Sequence, residues 1–211
     1  MPTLRFSVLT LLLLVALCAV AASVAARWAL PRWREREAAL QVYALGGDVS
    51  TWNGDRSYRG TEKAELPYLP RIARVDYWGQ RVSAAHIEPL VNLPKLRSIC
   101  FWGCKFDPRA FEQLDKCVSP RINLFFRHCA GCDEAFLGAG PLRVESLSFD
   151  RCDVSAIGLQ RLNLPNTRRF FADNVSRLDD AALAAIRANC PDLQRLDLRG
   201  CPITDVGCLE I

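Results

Sequence analysis

The chain has 211 residues and a net charge of +4, and half of its residues are hydrophobic. This composition excludes wholesale disorder and is sufficient for one packed domain. The basic residues are scattered rather than grouped in a stripe, so we expect no nucleic-acid partner. Only two histidines are present, which limits the acid–base and metal chemistry that the protein could perform.

Residues 6–26 contain no charged side chain and consist mostly of Leu, Val and Ala. As a helix with a rise of about 1.5 Å per residue, this stretch would span roughly 31 Å, the thickness of a bilayer's hydrocarbon core. We therefore predict a single N-terminal transmembrane helix within residues 1–30, with the membrane as a partner through residues 6–26. Arg27, Arg32 and Arg34 follow the stretch and favour a cytoplasmic location for the rest of the chain. The alternative is a cleaved signal peptide, which would place the domain on the exported side.

Residues 31–66 separate this stretch from the remaining domain, residues 67–211. A helix is predicted over residues 34–45, because the glycines Gly46 and Gly47 follow it as a stop signal. A hairpin is predicted over residues 48–58, around Asn53 and Gly54. Together these two elements would cover the open edge of the first strand that follows.

A pattern of apolar residues recurs six times from residue 75 onward. Each copy has an apolar residue, a second one two positions later, a small or polar residue, and in most copies another apolar residue. Short apolar pairs spaced three apart follow most copies, which is typical of one face of a helix. Each copy therefore predicts a strand, a turn and a short helix. The copies begin 24, 25, 23, 23 and 26 residues apart, at Val75, Ile99, Leu124, Leu147, Phe170 and Leu196. Residues suited to helix N-caps follow in five copies: Ser83, Asp107, Ser155, Asp179 and Thr204.

The segment from Cys190 to Asp205 resembles the cysteine-containing class of leucine-rich repeats. Residues 5–7, 11–14 and 45–47 resemble bacterial membrane-anchored leucine-rich-repeat proteins with an N-terminal transmembrane helix. The resemblance implies an α/β fold: a leucine-rich-repeat solenoid of about six repeats, with parallel strands and short helices on the convex side, preceded by the transmembrane helix. It also implies a role in protein–protein interaction.

The cysteines follow the repeated pattern. Cys104, Cys129, Cys152 and Cys201 occupy the same position in four copies, and we predict that they form a buried, unbridged ladder. Cys129 and Cys132 also form a CxxC pair, so a thiol redox or metal site is the less favoured alternative. A structural zinc site needs four ligands and no second pair exists. We therefore expect no metal and no cofactor.

No catalytic motif is found in the sequence, so we expect neither an enzyme nor a small-molecule substrate. Residues that alternate with the apolar strand positions should point away from the core. Exposed aromatic side chains bordered by charges are typical of binding sites. Two alternatives stay open: the hairpin folds over the tryptophans, or the protein self-assembles through its C-terminal end. The predicted partner-binding residues are Trp78, Trp102, Phe125, Arg127, Asp150 and Phe171.

Overall fold

The computed structural model describes residues 8–24, 26–27, 30–51, 57–58, 72–117 and 121–208. Helices α1 (Val8–Val24) and α2 (Leu30–Ala44) precede strands β1 (Gly47–Thr51) and β2 (Ser57–Tyr58). The later strands are β3 (Ile72–Trp78), β4 (Arg81–Val82), β5 (Ser98–Trp102), β6 (Lys105–Phe106), β7 (Ile122–Arg127), β8 (Val144–Asp150), β9 (Arg169–Asp173) and β10 (Arg195–Arg199). The later helices are α3 (Ala84–Ile87), α4 (Cys132–Ala135), α5 (Ala156–Gln160), α6 (Asp180–Asn189) and α7 (Asp205–Cys208), with short 3₁₀ helices at Glu88–Asn92 and Leu114–Lys116.

Eight strands form one mixed sheet in the order β10-β9-β8-β7-β5-β3-β1-β2. The six strands from β3 to β10 in this sheet are parallel, whereas β1 runs antiparallel to both β3 and β2. Strands β4 and β6 form a separate parallel pair. The first apolar residues of the six sequence copies lie opposite one another: Val75, Ile99, Leu124, Leu147, Phe170 and Leu196.

The prediction of a leucine-rich-repeat solenoid is wrong. The protein has an α/β fold with a mixed sheet, and its strands are not arranged as leucine-rich repeats. The connections between the parallel strands do not repeat one structure: β4 is followed by a four-residue α-helix, β6 by a 3₁₀ turn at Leu114–Lys116, and β9 by the ten-residue helix α6. The apolar pattern predicts where the strands lie in the sequence, but it does not determine the structure of the segments that connect them.

The prediction of a membrane-spanning helix through residues 6–26 is also wrong. Helix α1 has 17 residues, which at about 1.5 Å per residue gives roughly 26 Å, less than the hydrocarbon core of about 30 Å. Within the described residues, α1 extends to Val24, and Ala26 and Arg27 adopt a π-helical conformation. In the part of the chain that the structure describes, no helix is long and apolar enough to cross a membrane. The single-pass membrane location predicted from this stretch is corrected accordingly.

Helix α2 and the hairpin lie against the first part of the sheet. Ala38, Ala39 and Val42 of α2 are buried, and the Glu35 carboxylate accepts a hydrogen bond from the backbone N–H of Ile72 at 2.8 Å. Strand β1 extends the sheet at the β3 edge. The turn predicted within the hairpin, and the boundary predicted between residues 66 and 67, lie outside the described residues.

The core lies between the sheet and the helices, and a row of aromatic rings crosses it. Tyr77, Phe101, Phe126 and Phe149 come from successive parallel strands, and their ring centroids are 5.6, 5.2 and 5.0 Å apart. All four side chains are buried. Burying one such side chain contributes about 2–3 kcal/mol, so this row holds strands β3 to β8 in register. Because strand side chains alternate, it also determines which residues point to the opposite face.

Helices α3, α5 and α6 begin after residues that the sequence predicted as caps, whereas α4 follows Gly131, which it did not. Ser83 precedes α3, Ser155 precedes α5, and the Asp179 carboxylate accepts a hydrogen bond from a backbone N–H of α6 at 3.3 Å. The Asp179 side chain thus satisfies a free N–H group at the start of α6, which stabilises a helix by about 1 kcal/mol, whereas the Ser155 side chain makes no such cap hydrogen bond.

Candidate functional site

The face of the parallel sheet opposite the aromatic core is called the open face here. Its side chains come from two rows of residues that alternate with the buried apolar positions. In each row, residues on adjacent strands lie directly opposite one another. The first row is Asp76, Cys100, Phe125, Ser148, Phe171 and Asp197, and the second is Trp78, Trp102, Arg127, Asp150, Asp173 and Arg199.

Two tryptophans stack on one another at the carboxyl ends of β3 and β5. The ring centroids of Trp78 and Trp102 are 4.9 Å apart and the ring planes differ by 6°. Trp78 remains 49% exposed, whereas Trp102 is half-buried. The spacing follows from the separation of about 4.8 Å between adjacent strands. The alternative that the hairpin buries the tryptophans does not fit this exposure of Trp78.

Hydrogen bonds and an ion pair hold the tryptophan pair in place from one side. The Trp102 indole N–H donates to the Asp76 carboxylate at 3.2 Å. The Arg74 guanidinium donates two hydrogen bonds to the same carboxylate, at 2.8 and 2.7 Å. A bidentate pair of this kind has a defined geometry. Trp102 therefore has little rotational freedom, and Trp78 stacks on a fixed ring.

A cation borders the pair on the other side. The guanidinium carbon of Arg127 lies 5.6 Å from the centroid of the Trp102 ring, within the range of a cation–π interaction. Arg127 also forms an ion pair with Asp150 at 2.8 Å. Phe125, on the same strand as Arg127, is 37% exposed. Five of the six predicted site residues thus lie on four neighbouring strands.

The sixth predicted residue, Phe171, lies on β9, beyond β8. It is half-buried, and the guanidinium carbon of Arg195 lies 5.2 Å from its ring centroid. Phe171 lines a shallow depression of about 380 Å³ together with charged residues of β8 to β10. In the first row, Ser148 stands between Phe125 and Phe171. Phe171 therefore belongs to a second, more polar part of the open face.

Cys100 differs from the expectation for its position. It belongs to the open-face row but is only 2% exposed. Burial, with a smaller contribution from the neighbouring Asp76 carboxylate, raises the pKa of the Cys100 thiol to about 12. The Asp76 hydrogen bond raises the pKa of Arg74, the other neighbour of this thiol. The signal for this cluster was present in the sequence, since Arg74 and Asp76 are two residues apart and must share one face of a strand.

The cysteines of the predicted ladder lie on the core side. Cys104, Cys129 and Cys152 are buried and free, and Cys201 is free and partly exposed. The Cys104 thiol donates to the backbone carbonyl of Tyr77 at 3.4 Å, a residue of the preceding parallel strand. The Cys129 thiol repeats this contact one strand further on, at 3.4 Å from its acceptor. These thiols therefore pack the turns of adjacent strands together.

The CxxC pair lacks the exposure that thiol chemistry requires. Cys129 and Cys132 are both buried. Contacts with neighbouring thiols raise the pKa of both groups, and burial raises it further. Reactive thiols are reachable and have a lowered pKa, so these two have the opposite properties. Among the described residues, no group of three or more His, Cys, Asp or Glu side chains is placed to hold a metal ion.

Comparison with known proteins adds no functional assignment. No protein-family model matches the chain, and no curated protein shows significant similarity to it. A function must therefore be argued from the side chains of the open face.

Proposed function

We propose that the protein is an interaction module that binds another protein through an aromatic strip on the open face, formed by Trp78, Trp102 and Phe125. The observation that carries this proposal is the stacked, exposed tryptophan pair. Large aromatic side chains rarely stay half in water without a reason, and tryptophan is the residue most enriched among interface hot spots.

The energy available from the strip can be worked out from its exposed area. Aromatic side chains bury about 150–250 Å² each, and Trp78 is 49% exposed. Covering its free half removes about 100 Å² from water, which at about 25 cal/mol per Å² contributes roughly 2–3 kcal/mol. Phe125, at 37% exposed, adds a smaller amount. This total matches one interface hot spot.

The fixed geometry of the strip favours binding further. The contacts with Asp76 and Arg127 already restrict Trp102. Little side-chain entropy therefore remains to be lost when a partner packs against the rings. The charged residues beside the rings, Arg127 and Asp150, form an ion pair with one another, so their charges cancel. The chemistry that fits is a partner surface with a protruding aromatic or aliphatic side chain, surrounded by uncharged hydrogen-bonding groups.

The test compares capture of a partner by the unaltered full chain with capture by three variants of it. Trp78→Ser, alone and with Trp102→Ser, should abolish capture. Ile157→Ser is the matched control, because Ile157 is 58% exposed on α5, on the helix side of the sheet. Trp78→Ser should shift the thermal midpoint by only a few degrees, since half of the ring is already in water. Undiminished capture by the Trp78→Ser protein, or an equal loss in the Ile157→Ser control, would contradict the proposal.

Self-association is the second candidate, and one observation favours it. Among the described strands, β10 lies at the edge of the sheet, and its Leu196 and Leu198 are only half-buried. A strand edge offers backbone groups for pairing with another chain. Sedimentation over a hundredfold range of protein concentration separates the two candidates. A concentration-dependent oligomer that the Trp78→Ser variant still forms would support assembly through β10.

A further inference from the structure

Three arginines at the amino ends of the parallel strands differ from the arginines near the carboxyl ends in their ion pairing. Beyond the carboxyl ends, arginine side chains form ion pairs with carboxylates: Arg81 with Asp107, Arg127 and Arg151 with Asp150, Arg177 with Asp133, and Arg199 with Asp197. At the amino ends, Arg121, Arg143 and Arg168 precede β7, β8 and β9. Within the described residues, no carboxylate lies within ion-pair distance of these three.

The three arginines line one cleft. Its volume is about 380 Å³, and its other lining residues are Glu145, Asn166 and Asp192. The backbone brings the arginines together, because the Ile122 N–H donates to the Arg143 carbonyl at 3.1 Å. A cleft of this size is within the range of small-ligand sites, about 300–1,000 Å³.

The cleft has an excess of positive charge. Glu145 is engaged by Arg169, whose guanidinium lies 3.5 Å from its carboxylate. Asp192 is exposed at the rim. Four guanidinium groups thus accompany two carboxylates, which leaves a local charge of about +2 at neutral pH. Like charges held in one cleft repel one another, and a bound anion would relieve that repulsion.

We propose that this cleft binds a small anion that carries two or more phosphate or carboxylate groups. Guanidinium groups donate pairs of parallel hydrogen bonds to both kinds of group. The three arginines that precede β7, β8 and β9 could engage separate anionic groups of one ligand. The cleft and the tryptophan pair lie at opposite ends of the parallel strands, so this site is separate from the aromatic strip. It adds a small-molecule ligand, which the sequence did not predict.

The test is isothermal titration of the full chain with pyrophosphate in one arm and citrate in the other, at constant ionic strength. We expect saturable binding of at least one anion. Arg143→Gln and Arg168→Gln should each weaken it about tenfold, the loss expected for a charge-assisted hydrogen bond. Asp192→Asn should tighten binding, because it removes a repelling carboxylate.

Arg109→Gln is the matched control. Arg109 is exposed in the turn after β6, on the helix side of the sheet, and its loss removes the same charge without touching the cleft. The Arg109→Gln variant should bind pyrophosphate and citrate as tightly as the unaltered protein does. Stronger binding of pyrophosphate would assign the site to phosphates, and stronger binding of citrate would assign it to carboxylates. Binding of neither anion, or an equal loss in the Arg109→Gln control, would overturn the proposal. Arg121→Gln provides a second cleft variant if either of the first two fails to fold.

Discussion

Replacement of Gly158 by Ala should disrupt a carboxylate that joins two helices. Gly158 lies in α5 and faces Asp133 of α4, which is only 6% exposed. The Asp133 carboxylate accepts hydrogen bonds from the Ser155 N–H at 2.8 Å and from the Ser155 hydroxyl at 2.7 Å. It also forms an ion pair with Arg177 at 3.3 Å. A Cβ atom at position 158 would lie 2.0 Å from Oδ1 of Asp133, so the carboxylate would have to move.

The magnitude follows from the contacts that would be lost. Each hydrogen bond to a charged acceptor contributes about 1.5–3 kcal/mol, and two of them hold Ser155 at the start of α5. Alanine gains up to about 1 kcal/mol over glycine within a helix. The net destabilisation should therefore be roughly 2–5 kcal/mol. That is a large part of the total stability of a domain, about 5–15 kcal/mol.

Urea denaturation followed by circular dichroism measures this change, and a double-mutant cycle identifies its cause. In an Asp133→Ala background, Gly158→Ala should cost clearly less, because the carboxylate is absent and only the tight contact with the Cα of residue 133, at 3.1 Å, remains. Gly207→Ala is the control: its Cβ would lie 2.3 Å from a carboxylate oxygen of Asp180, which accepts hydrogen bonds from the Thr204 N–H and hydroxyl. Those two hydrogen bonds are exposed, unlike the ones that Asp133 accepts, so water can replace them. Gly207→Ala should lower the free energy of unfolding clearly less than Gly158→Ala does. An equal cost of Gly158→Ala in both backgrounds would refute the reasoning and point to backbone crowding.

Two further predictions concern the buried thiols. In urea denaturation, Cys152→Ala should lower the free energy of unfolding by about 1–2 kcal/mol. Cys152→Arg should lower it by several kcal/mol, because it places an unpaired charge in the core. Equal losses in the two variants would contradict the burial of this side chain. Burial raises the pKa of Cys117 and of Cys190 to about 12, so the folded state keeps protons that the unfolded state loses near pH 9. Stability should therefore be complete below pH 9 and fall towards pH 12, by up to about 1.4 kcal/mol per pH unit for each thiol. In the Cys117→Ala variant, the free energy of unfolding should fall less steeply between pH 9 and 10.5. An unchanged slope would contradict the raised pKa of Cys117.

The register of the parallel strands could be predicted from the sequence, because it depends on local alternation. Val75 and Ile99 each begin an apolar pair separated by one residue, and they are directly opposed in the sheet. The fold class inferred from the same spacing was wrong, because the pattern contains no information about the connections. Segments as different as Leu114–Lys116 and α6 lie between strands whose sequence copies begin 25 and 26 residues apart.

The end of helix α1 could not be predicted from hydropathy. The apolar composition continues to Ala26, but the backbone at Ala26 is π-helical rather than α-helical. Backbone conformation at a helix terminus depends on hydrogen bonds and on neighbouring segments, which composition does not describe.

The candidate site shows the same division between local and non-local effects. The contact between Trp78 and Trp102 follows from strand register alone, which the apolar pattern of the sequence specifies. The burial of Cys100 depends on its surroundings across adjacent strands, and alternation predicted the opposite exposure. The cleft at Arg121, Arg143 and Arg168 depends on loops from three strands and on the absence of nearby carboxylates among the described residues. Its arginines looked scattered in the sequence because they are more than twenty residues apart.

The most direct test of the aromatic strip is site-specific photo-crosslinking in the cells that produce the protein. A benzophenone amino acid replaces Trp78 in one full-length variant and Ile157 in another. If the open face contacts the partner, position 78 should give a discrete crosslinked protein and position 157 should give none. Crosslinks from position 157 alone, or from both positions with equal yield, would contradict the central claim.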